Sequence, residues 1–159
     1  MQFAVITVSD RCSQGLMTDT AGPAVTALLK REWPAAGIRT ELLPDDEERI
    51  AAAIVRLCAD GAAMVLSVGG TGMGPRDRTP EATRQVIDRE APGLAEAMRA
   101  EGARLNPYAW LSRGIAGMRG GALIVNLPGS RRGAEESLET IVALLRHALD
   151  VAAGGQGHP

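Results

Sequence analysis

The sequence has few of the residues that metal centres and disulfide frameworks require. It contains two cysteines, Cys12 and Cys58, which are not in CxxC spacing, and two histidines, His147 and His158. Two separated cysteines exclude a disulfide framework, and so small a set of histidines and cysteines argues against a zinc site. We therefore expect reduced thiols in a cytoplasmic protein.

Long apolar runs and an excess of charge of one sign are also absent. A membrane-spanning helix needs about 20 apolar residues, and no stretch approaches this length. The first residues show no signal-peptide pattern. The 17 basic and 19 acidic side chains leave a net charge of −2, which argues against nucleic-acid and membrane partners. A local positive cleft is still expected, because several arginines lie in or beside glycine- or proline-containing turns: Arg76, Arg78, Arg113, Arg131 and Arg132.

The most informative stretch is residues 64–83, MVLSVGGTGMGPRDRTPEAT. The apolar run 64–68 is short and rich in valine, which favours a buried strand. The glycines that follow allow sharp turns and let a ligand approach backbone N–H groups: Gly69, Gly70, Gly72 and Gly74. Thr79 and Pro80 then predict a helix, with Thr79 as its N-cap. A strand, a glycine loop and a helix start predict an anion site, although a tight turn with solvated charges fits the same spacing.

The alternation of apolar runs predicts the fold. Strands are expected near residues 3–8, 38–43, 64–68 and 122–127, with helices beginning at Pro23 and covering about 47–59, 81–88, 94–105 and 134–151, and a loop over 11–22. This order specifies a three-layer αβα sandwich with a mostly parallel sheet. At 159 residues the chain is expected to form one domain over 1–153, followed by a flexible tail over 154–159.

Four turns follow the predicted strands and should meet at one edge of the sheet. They contain Ser9 and Asp10, Asp45, residues 69–77, and residues 128–132. In open α/β sheets ligands bind beyond the carboxyl ends of the strands. Capping of the next helix by Asp45 or Asp46 is the alternative role of those aspartates.

Residues 105–114, LNPYAWLSRG, allow two interpretations. Tyr108 and Trp110 belong either to the core or to a contact surface. Ser112 and Arg113 suit either a phosphate or polar ring, or a solvated helix end.

The whole chain resembles the molybdenum-cofactor biosynthesis family that includes the bacterial MogA and MoaB proteins. The resemblance rests on an ordered set of motifs: TVSDR, LPDD, SVGGTGMGPRDRTPEAT, REAPGLAEAMR, LSRGIAGMRG and NLPGS. MogA-like members transfer AMP from ATP to molybdopterin, a pterin dithiolene with a terminal phosphate. The resemblance implies that activity here, with Asp45 and Asp77 as the catalytic aspartates and as anchors for Mg²⁺.

The same resemblance implies roles for the other turn residues. Ser9, Asp10, Gly69, Gly70, Thr71 and Gly72 would line the nucleotide site, while Ser112, Arg113, Pro128, Gly129 and Ser130 would bind the pterin or its phosphate. It also implies a homotrimer and a separate molybdate-inserting protein. Arg78 and the run Ser130-Arg131-Arg132 depart from the family pattern and would add positive charge. The alternatives are a MoaB-like molybdopterin-binding protein without catalysis and a scaffold domain on the same fold.

Overall fold

A six-stranded sheet forms the centre of the computed structural model, which describes residues 1–155. The predicted flexible tail lies mainly outside the described residues. The strands are β1 Gln2–Val8, β2 Gly37–Leu43, β3 Met64–Val68, β4 Arg89–Glu90, β5 Ala116–Arg119 and β6 Ala122–Leu127. The helices are α1 Asp10–Ser13, α2 Ala21–Glu32, α3 Glu47–Ala59, α4 Thr79–Val86, α5 Pro92–Leu105 and α6 Arg131–Ala152.

The strands are arranged in the order β2-β1-β3-β6-β5-β4. The four predicted strands β2, β1, β3 and β6 are parallel, so their carboxyl ends lie at one edge of the sheet. Every residue of β3 and β6 is buried, as expected for central strands covered on both faces. The mostly parallel α/β fold is confirmed.

Helices cover both faces of the sheet. Phe3, Val5 and Leu66 face a core formed with α2, α5 and α6, whereas Ala4 and Ile6 face a core formed with α3 and α4. This alternation along β1 follows from the two-residue period of a strand. The result is the predicted three-layer sandwich. No helix within residues 1–155 is long and apolar enough to cross a membrane.

Strands β4 and β5 were not predicted. β5 pairs antiparallel with β6 through the turn at residues 120–121, and β4 pairs antiparallel with β5. β4 has two residues and β5 has four, one of them Gly117. Both are too short for a recognisable alternation, and glycine has a low strand propensity.

Several predicted helix starts were wrong by two or three residues. Helix α2 begins at Ala21, before Pro23, because the Asp19 carboxylate accepts the N–H groups of Ala21 and Gly22. Helix α6 begins at Arg131 because Ser130 caps it. The expected loop over 11–22 contains most of the short helix α1.

The predicted capping of α4 by Thr79 was also wrong. Thr79 is the first helical residue, and the N-cap is Arg78, whose side chain makes no capping hydrogen bond. Thr79 is fully buried. Its hydroxyl is buried and has no hydrogen-bond partner among residues 1–155, so it does not cap the helix.

The aromatic residues divide into a packed group and an exposed group. Trp33 contacts Phe3 edge to face at a centroid distance of 5.4 Å, and the Arg146 guanidinium lies 4.7 Å from the Trp33 ring. Trp33 therefore packs as expected and connects α2, β1 and α6. Tyr108 and Trp110, in a 3₁₀ helix over Pro107–Leu111, are exposed and do not belong to the core.

Candidate active site

A cleft of about 680 Å³ lies at the carboxyl ends of the parallel strands. All four predicted turns contribute to it. We call it the acidic cleft because four aspartates line it: Asp10, Asp19, Asp45 and Asp77. The other predicted site residues that line it are Ser9, Gly69, Gly70, Gly129 and Ser130.

Asp10 and Asp45 connect the turns after β1 and β2. The Asp10 N–H donates to Asp45 Oδ2 at 2.8 Å, and the Asp45 N–H donates to Asp10 Oδ1 at 3.0 Å. The Arg76 guanidinium donates to both carboxylate oxygens of Asp10, each at 3.0 Å. These hydrogen bonds from Arg76 lower the pKa of Asp10. Three separate loops are thereby fixed to one another.

The two adjacent aspartates at the start of α3 have different roles. Asp46 is the N-cap of α3 and accepts the Arg49 N–H. Asp45 does not cap the helix and instead lies in the acidic cleft. Burial raises the pKa of Asp45, and the nearby charges of Asp10 and Asp77 raise it further. Asp45 is thus a carboxylate held in a negative environment.

Asp77 approaches the cleft from the end of the glycine loop. Its Oδ2 accepts the Gly74 N–H at 2.8 Å. Within residues 1–155 neither Asp77 nor Asp45 forms an ion pair. An added Cβ on Gly72 or Gly74 would lie 2.9 or 2.7 Å from Asp77 Oδ2, so the glycines leave the room that this carboxylate occupies.

The glycine loop presents free backbone donors. Gly69 and Gly70 have φ angles of 105° and 63°, which side-chain-bearing residues rarely adopt. A Cβ on Gly69 would lie 2.3 Å from the Val8 carbonyl oxygen, so only glycine permits this close approach. In the described chain the N–H groups of Gly70, Thr71 and Gly72 donate no hydrogen bond. They are therefore available to an anionic ligand.

A helix N-terminus supplies further donors to the cleft. Ser130 and Arg131, at the start of the 22-residue helix α6, line the cleft. The Ser130 hydroxyl accepts the Gly133 N–H at 3.1 Å. The N-terminus of such a helix carries a partial positive charge that favours an anion.

A second cavity of about 270 Å³ adjoins the acidic cleft. Ser130 lines both spaces, and the glycine loop separates them, since Gly70 faces the cleft and Thr71 faces the second cavity. The predicted site residues that line the second cavity are Thr71, Gly72, Ser112, Pro128 and Ser130. Apolar side chains, including Met98 and Leu111, form part of its wall, which suits a ring system better than a polyphosphate.

Arg113 is the predicted site residue that lines neither space. Its Nε donates to the Gly72 carbonyl at 2.7 Å, and its two NH groups donate to the Asp77 carbonyl and the Glu81 carboxylate. Burial works against ionisation of Glu81, but the hydrogen bond from Arg113 keeps the net pKa of Glu81 below its ordinary value. Neither of the two roles considered for Arg113 from the sequence describes these contacts.

The arginines that depart from the family pattern form ion pairs with neighbouring glutamates. Arg78 forms an ion pair with Glu47, and Arg132 forms one with Glu136 at 2.7 Å. Arg131 lies 3.6 Å from Glu135 and also lines the cleft. Most of the added positive charge is therefore compensated locally.

Sequence reasoning did not select Asn126. Its Nδ2 donates to the hydroxyls of Ser67 and Thr83 at 2.9 and 2.8 Å, and its Oδ1 accepts the Ile115 N–H at 3.2 Å. Asn126 also lines the second cavity. An asparagine inside the apolar run ALIVNL was the available signal, because a polar residue in a buried strand requires partners.

The donor set of the acidic cleft fits a hard divalent cation. Asp45 and Asp77 are carboxylates that form no ion pair within residues 1–155. Burial raises the pKa of Asp45, and the nearby charges of Asp10 and Asp77 add to this effect. Mg²⁺ binds one or two carboxylates together with phosphate oxygens and water. Two unpaired carboxylates would repel a polyphosphate unless a cation lay between them.

Known proteins resemble the chain over most of its length. The model of a family described as a probable molybdopterin binding domain matches residues 4–147. The molybdopterin adenylyltransferase of Helicobacter pylori J99 is 33% identical over 156 residues, which cover 97% of this chain and 89% of that protein. The crystal structure of the molybdopterin biosynthesis enzyme MoaB from Thermus thermophilus has a TM-score of 0.86 and 46% identity, and 99% of each chain is covered.

A longer relative contains this domain as one part. The molybdenum cofactor synthesis protein cinnamon of Drosophila melanogaster is 38% identical over 148 residues, which are 92% of this chain and 25% of cinnamon. The chain therefore spans a quarter of that relative. The family match and these identities confirm the resemblance carried by the ordered motifs, and the chain belongs to the molybdopterin-binding domain family of molybdenum-cofactor biosynthesis.

Proposed function

We propose that this protein is a molybdopterin adenylyltransferase. It transfers AMP from ATP to the terminal phosphate of molybdopterin and releases pyrophosphate. The proposal is supported by the relative that bears this name and is matched over 89% of its length. It is also supported by the chemistry of the two adjoining spaces.

The observation that most strongly supports this function is that two ligand-sized spaces share one glycine loop. The acidic cleft offers the free N–H group of Gly70, a helix N-terminus and two unpaired carboxylates, which suits the phosphates of ATP. The second cavity has an apolar wall together with a polar group from Ser112, which suits a pterin ring. Ser130 borders both. The two substrates would thus meet near Ser130 and the loop.

The reaction needs alignment and charge compensation. An oxygen of the molybdopterin phosphate attacks the α-phosphorus of ATP, a new P–O bond forms, and the bond to the bridging oxygen of pyrophosphate breaks. The attacking phosphate is already ionised, so no general base is required. We assign Asp45 and Asp77 as the residues that would hold Mg²⁺, which supplies positive charge for the phosphate oxygens. The backbone donors of the loop orient the polyphosphate.

Pyrophosphate release tests the proposal. The protein is incubated with ATP, Mg²⁺ and molybdopterin, and pyrophosphate is followed for the wild type, Asp77→Asn and Asp150→Asn. Asp150 is an exposed carboxylate near the end of α6 and serves as the control. We expect turnover by the wild type and the control, and a loss of about 100-fold or more for Asp77→Asn.

The same assay separates the rival functions. Saturable molybdopterin binding without pyrophosphate release would identify a binding protein of the MoaB type, and binding of neither ligand would identify a scaffold domain. We further propose that the protein acts in the cytoplasm as a homotrimer and that a separate protein inserts molybdate. Light scattering after size exclusion tests the trimer.

A further inference from the structure

We propose that Arg113 is a positioning residue that fixes the glycine loop and Asp77, and that it does not bind the phosphate of a substrate. This inference depends on the proposed function for its kinetic test alone. Its structural test is independent of turnover.

One residue holds both ends of the loop. The Arg113 N–H donates to the Thr71 carbonyl at 2.9 Å, and its Nε donates to the Gly72 carbonyl at 2.7 Å. One NH group reaches the Asp77 carbonyl at the other end of the loop. Between these points the loop has glycines at 72 and 74. A chain so rich in glycine loses much conformational entropy when it is ordered, so it needs external contacts to stay fixed.

Arg113 is itself held in place from its far side. Arg99, on helix α5, donates to the carbonyls of Ser112 and Gly114, at 3.3 and 2.8 Å. The Arg113 side chain is 33% exposed and forms an ion pair with Glu81 in the first turn of α4. The guanidinium therefore joins the loop to α4, and the backbone on either side of Arg113 is held to α5. A planar group with donors in fixed directions suits three acceptors at different angles.

The contacts leave the guanidinium turned away from the ligand spaces. Ser112 lines the second cavity, whereas Arg113 lines neither that cavity nor the acidic cleft. The neighbouring residues thus divide two tasks, since Ser112 faces the ligand space and Arg113 faces the loop. Displacement of Asp77 by about 1 Å is enough to lower a reaction rate about 100-fold.

The variants Arg113→Lys and Arg113→Gln distinguish positioning from phosphate binding. Lysine keeps a positive charge for a phosphate but cannot donate in three fixed directions. If Arg113 positions the loop, both variants lower kcat by about 100-fold and raise the Mg²⁺ concentration needed for half-maximal rate. The Kd for molybdopterin then stays within about threefold of the wild type. Arg104→Gln, which removes an exposed ion pair on α5, is the control.

Amide hydrogen exchange of the ligand-free protein gives the readout that needs no turnover. We expect faster exchange over residues 71–78 in both Arg113 variants and no change in the Arg104 control. Because Arg113→Gln leaves the Glu81 carboxylate without its partner, the double variant Arg113→Gln/Glu81→Gln tests the loop without that charge.

One pattern would overturn the inference. In this pattern the Kd for molybdopterin rises tenfold or more in Arg113→Gln and returns to the wild-type value in Arg113→Lys. Amide hydrogen exchange over residues 71–78 is unchanged in both variants. A wild type that releases no pyrophosphate would contradict the proposed function, and the exchange comparison would still test the role of Arg113.

Discussion

Asp10 and Asp45 each donate a backbone N–H to the carboxylate of the other, at 2.8 and 3.0 Å. This reciprocal pair joins the ends of β1 and β2. Arg76 compensates the charge of Asp10, whereas Asp45 has no ion pair within the described residues. The pair therefore holds the Asp45 carboxylate in a fixed position without an ion-pair partner. This arrangement fixes a binding site but lowers the stability of the fold.

Asp45→Asn should reduce activity and stabilise the protein at neutral pH. The pKa of Asp45 is raised in the native state, mainly by burial. Protonated Asp45 contributes fully to the stability of the fold below the pKa that this group has in the unfolded chain. The contribution is lost as the pH rises through the higher native pKa. At neutral pH the ionised carboxylate thus destabilises the fold, and asparagine removes that charge while retaining an oxygen for the Asp10 N–H. We expect turnover to fall about 100-fold or more and Tm at pH 7 to rise.

Thermal unfolding at pH 7 and near pH 4 checks this prediction. The advantage of the variant should shrink at the lower pH, because a larger fraction of Asp45 in the wild type is then protonated. A lower Tm at neutral pH would contradict it.

Asp10→Asn should move the acidic limb of the pH–rate profile to lower pH. The negative charge of Asp10 raises the pKa of Asp45, and Arg76 lowers it. Asparagine removes the repulsion and frees the Arg76 guanidinium, so both effects favour ionised Asp45. The profile of kcat/KM against pH measures the shift, with Asp150→Asn as the control. An acidic limb that stays in place would show that Asp45 does not govern it.

Asp10→Asn should also lower the stability of the fold, for a separate reason. The pKa of Asp10 is lowered, mainly by its hydrogen bonds with Arg76. This contribution is present above the unfolded pKa and is lost as the pH falls through the lower native pKa. The difference in Tm between wild type and Asp10→Asn should therefore be larger at pH 7 than at pH 3.

Gly69→Ala should destabilise the fold strongly. Gly69 has a φ of 105°, and an added Cβ would lie 2.3 Å from the Val8 carbonyl oxygen. Backbone strain and this clash together should cost about 3 kcal/mol or more in the free energy of unfolding. Gly93→Ala is the matched control, because Gly93 lies in α5 with nothing within 4 Å of an added Cβ. In Gly93→Ala the free energy of unfolding, measured with urea, should increase by about 0.5 kcal/mol.

Thr79→Val should leave stability unchanged or increase it by up to about 1 kcal/mol. The Thr79 hydroxyl is buried and has no hydrogen-bond partner among residues 1–155. Valine has nearly the same shape and removes an unsatisfied polar atom. Thr79→Ser keeps the hydroxyl and removes a methyl group, so it should lose about 1 kcal/mol. Urea unfolding that ranks serine above valine would indicate that the hydroxyl does have a partner.

The regular part of the molecule could be predicted from local patterns. The three buried strands, the partly exposed edge strand β2 and the five longer helices leave recognisable apolar patterns, and the rule for parallel sheets then brings their turns together. Strand β5 has no such pattern, since its place depends on pairing with β6. Asp45 and Asp46 show the same limit, because adjacent identical residues differ only in where the backbone turns their side chains.

Arg113 could be located but not interpreted. Its position near a glycine-rich segment indicates a cation at the site, yet the carbonyl groups that it contacts lie 41 and 36 residues away in the chain. Spacing carries no information about such contacts. The orientation of Ser112 toward the second cavity and of Arg113 toward the loop follows only from tertiary structure.

The two tryptophans give the molecule separate fluorescent reporters. Trp33 is packed between Phe3 and Arg146, so its emission should change when the three-layer core unfolds. Trp110 is 60% exposed, and its chain neighbours Ala109 and Leu111 line the second cavity. With Trp33→Phe and Trp110→Phe each emission can be recorded alone, and the occupation of one small cavity becomes observable in the intact protein without any label.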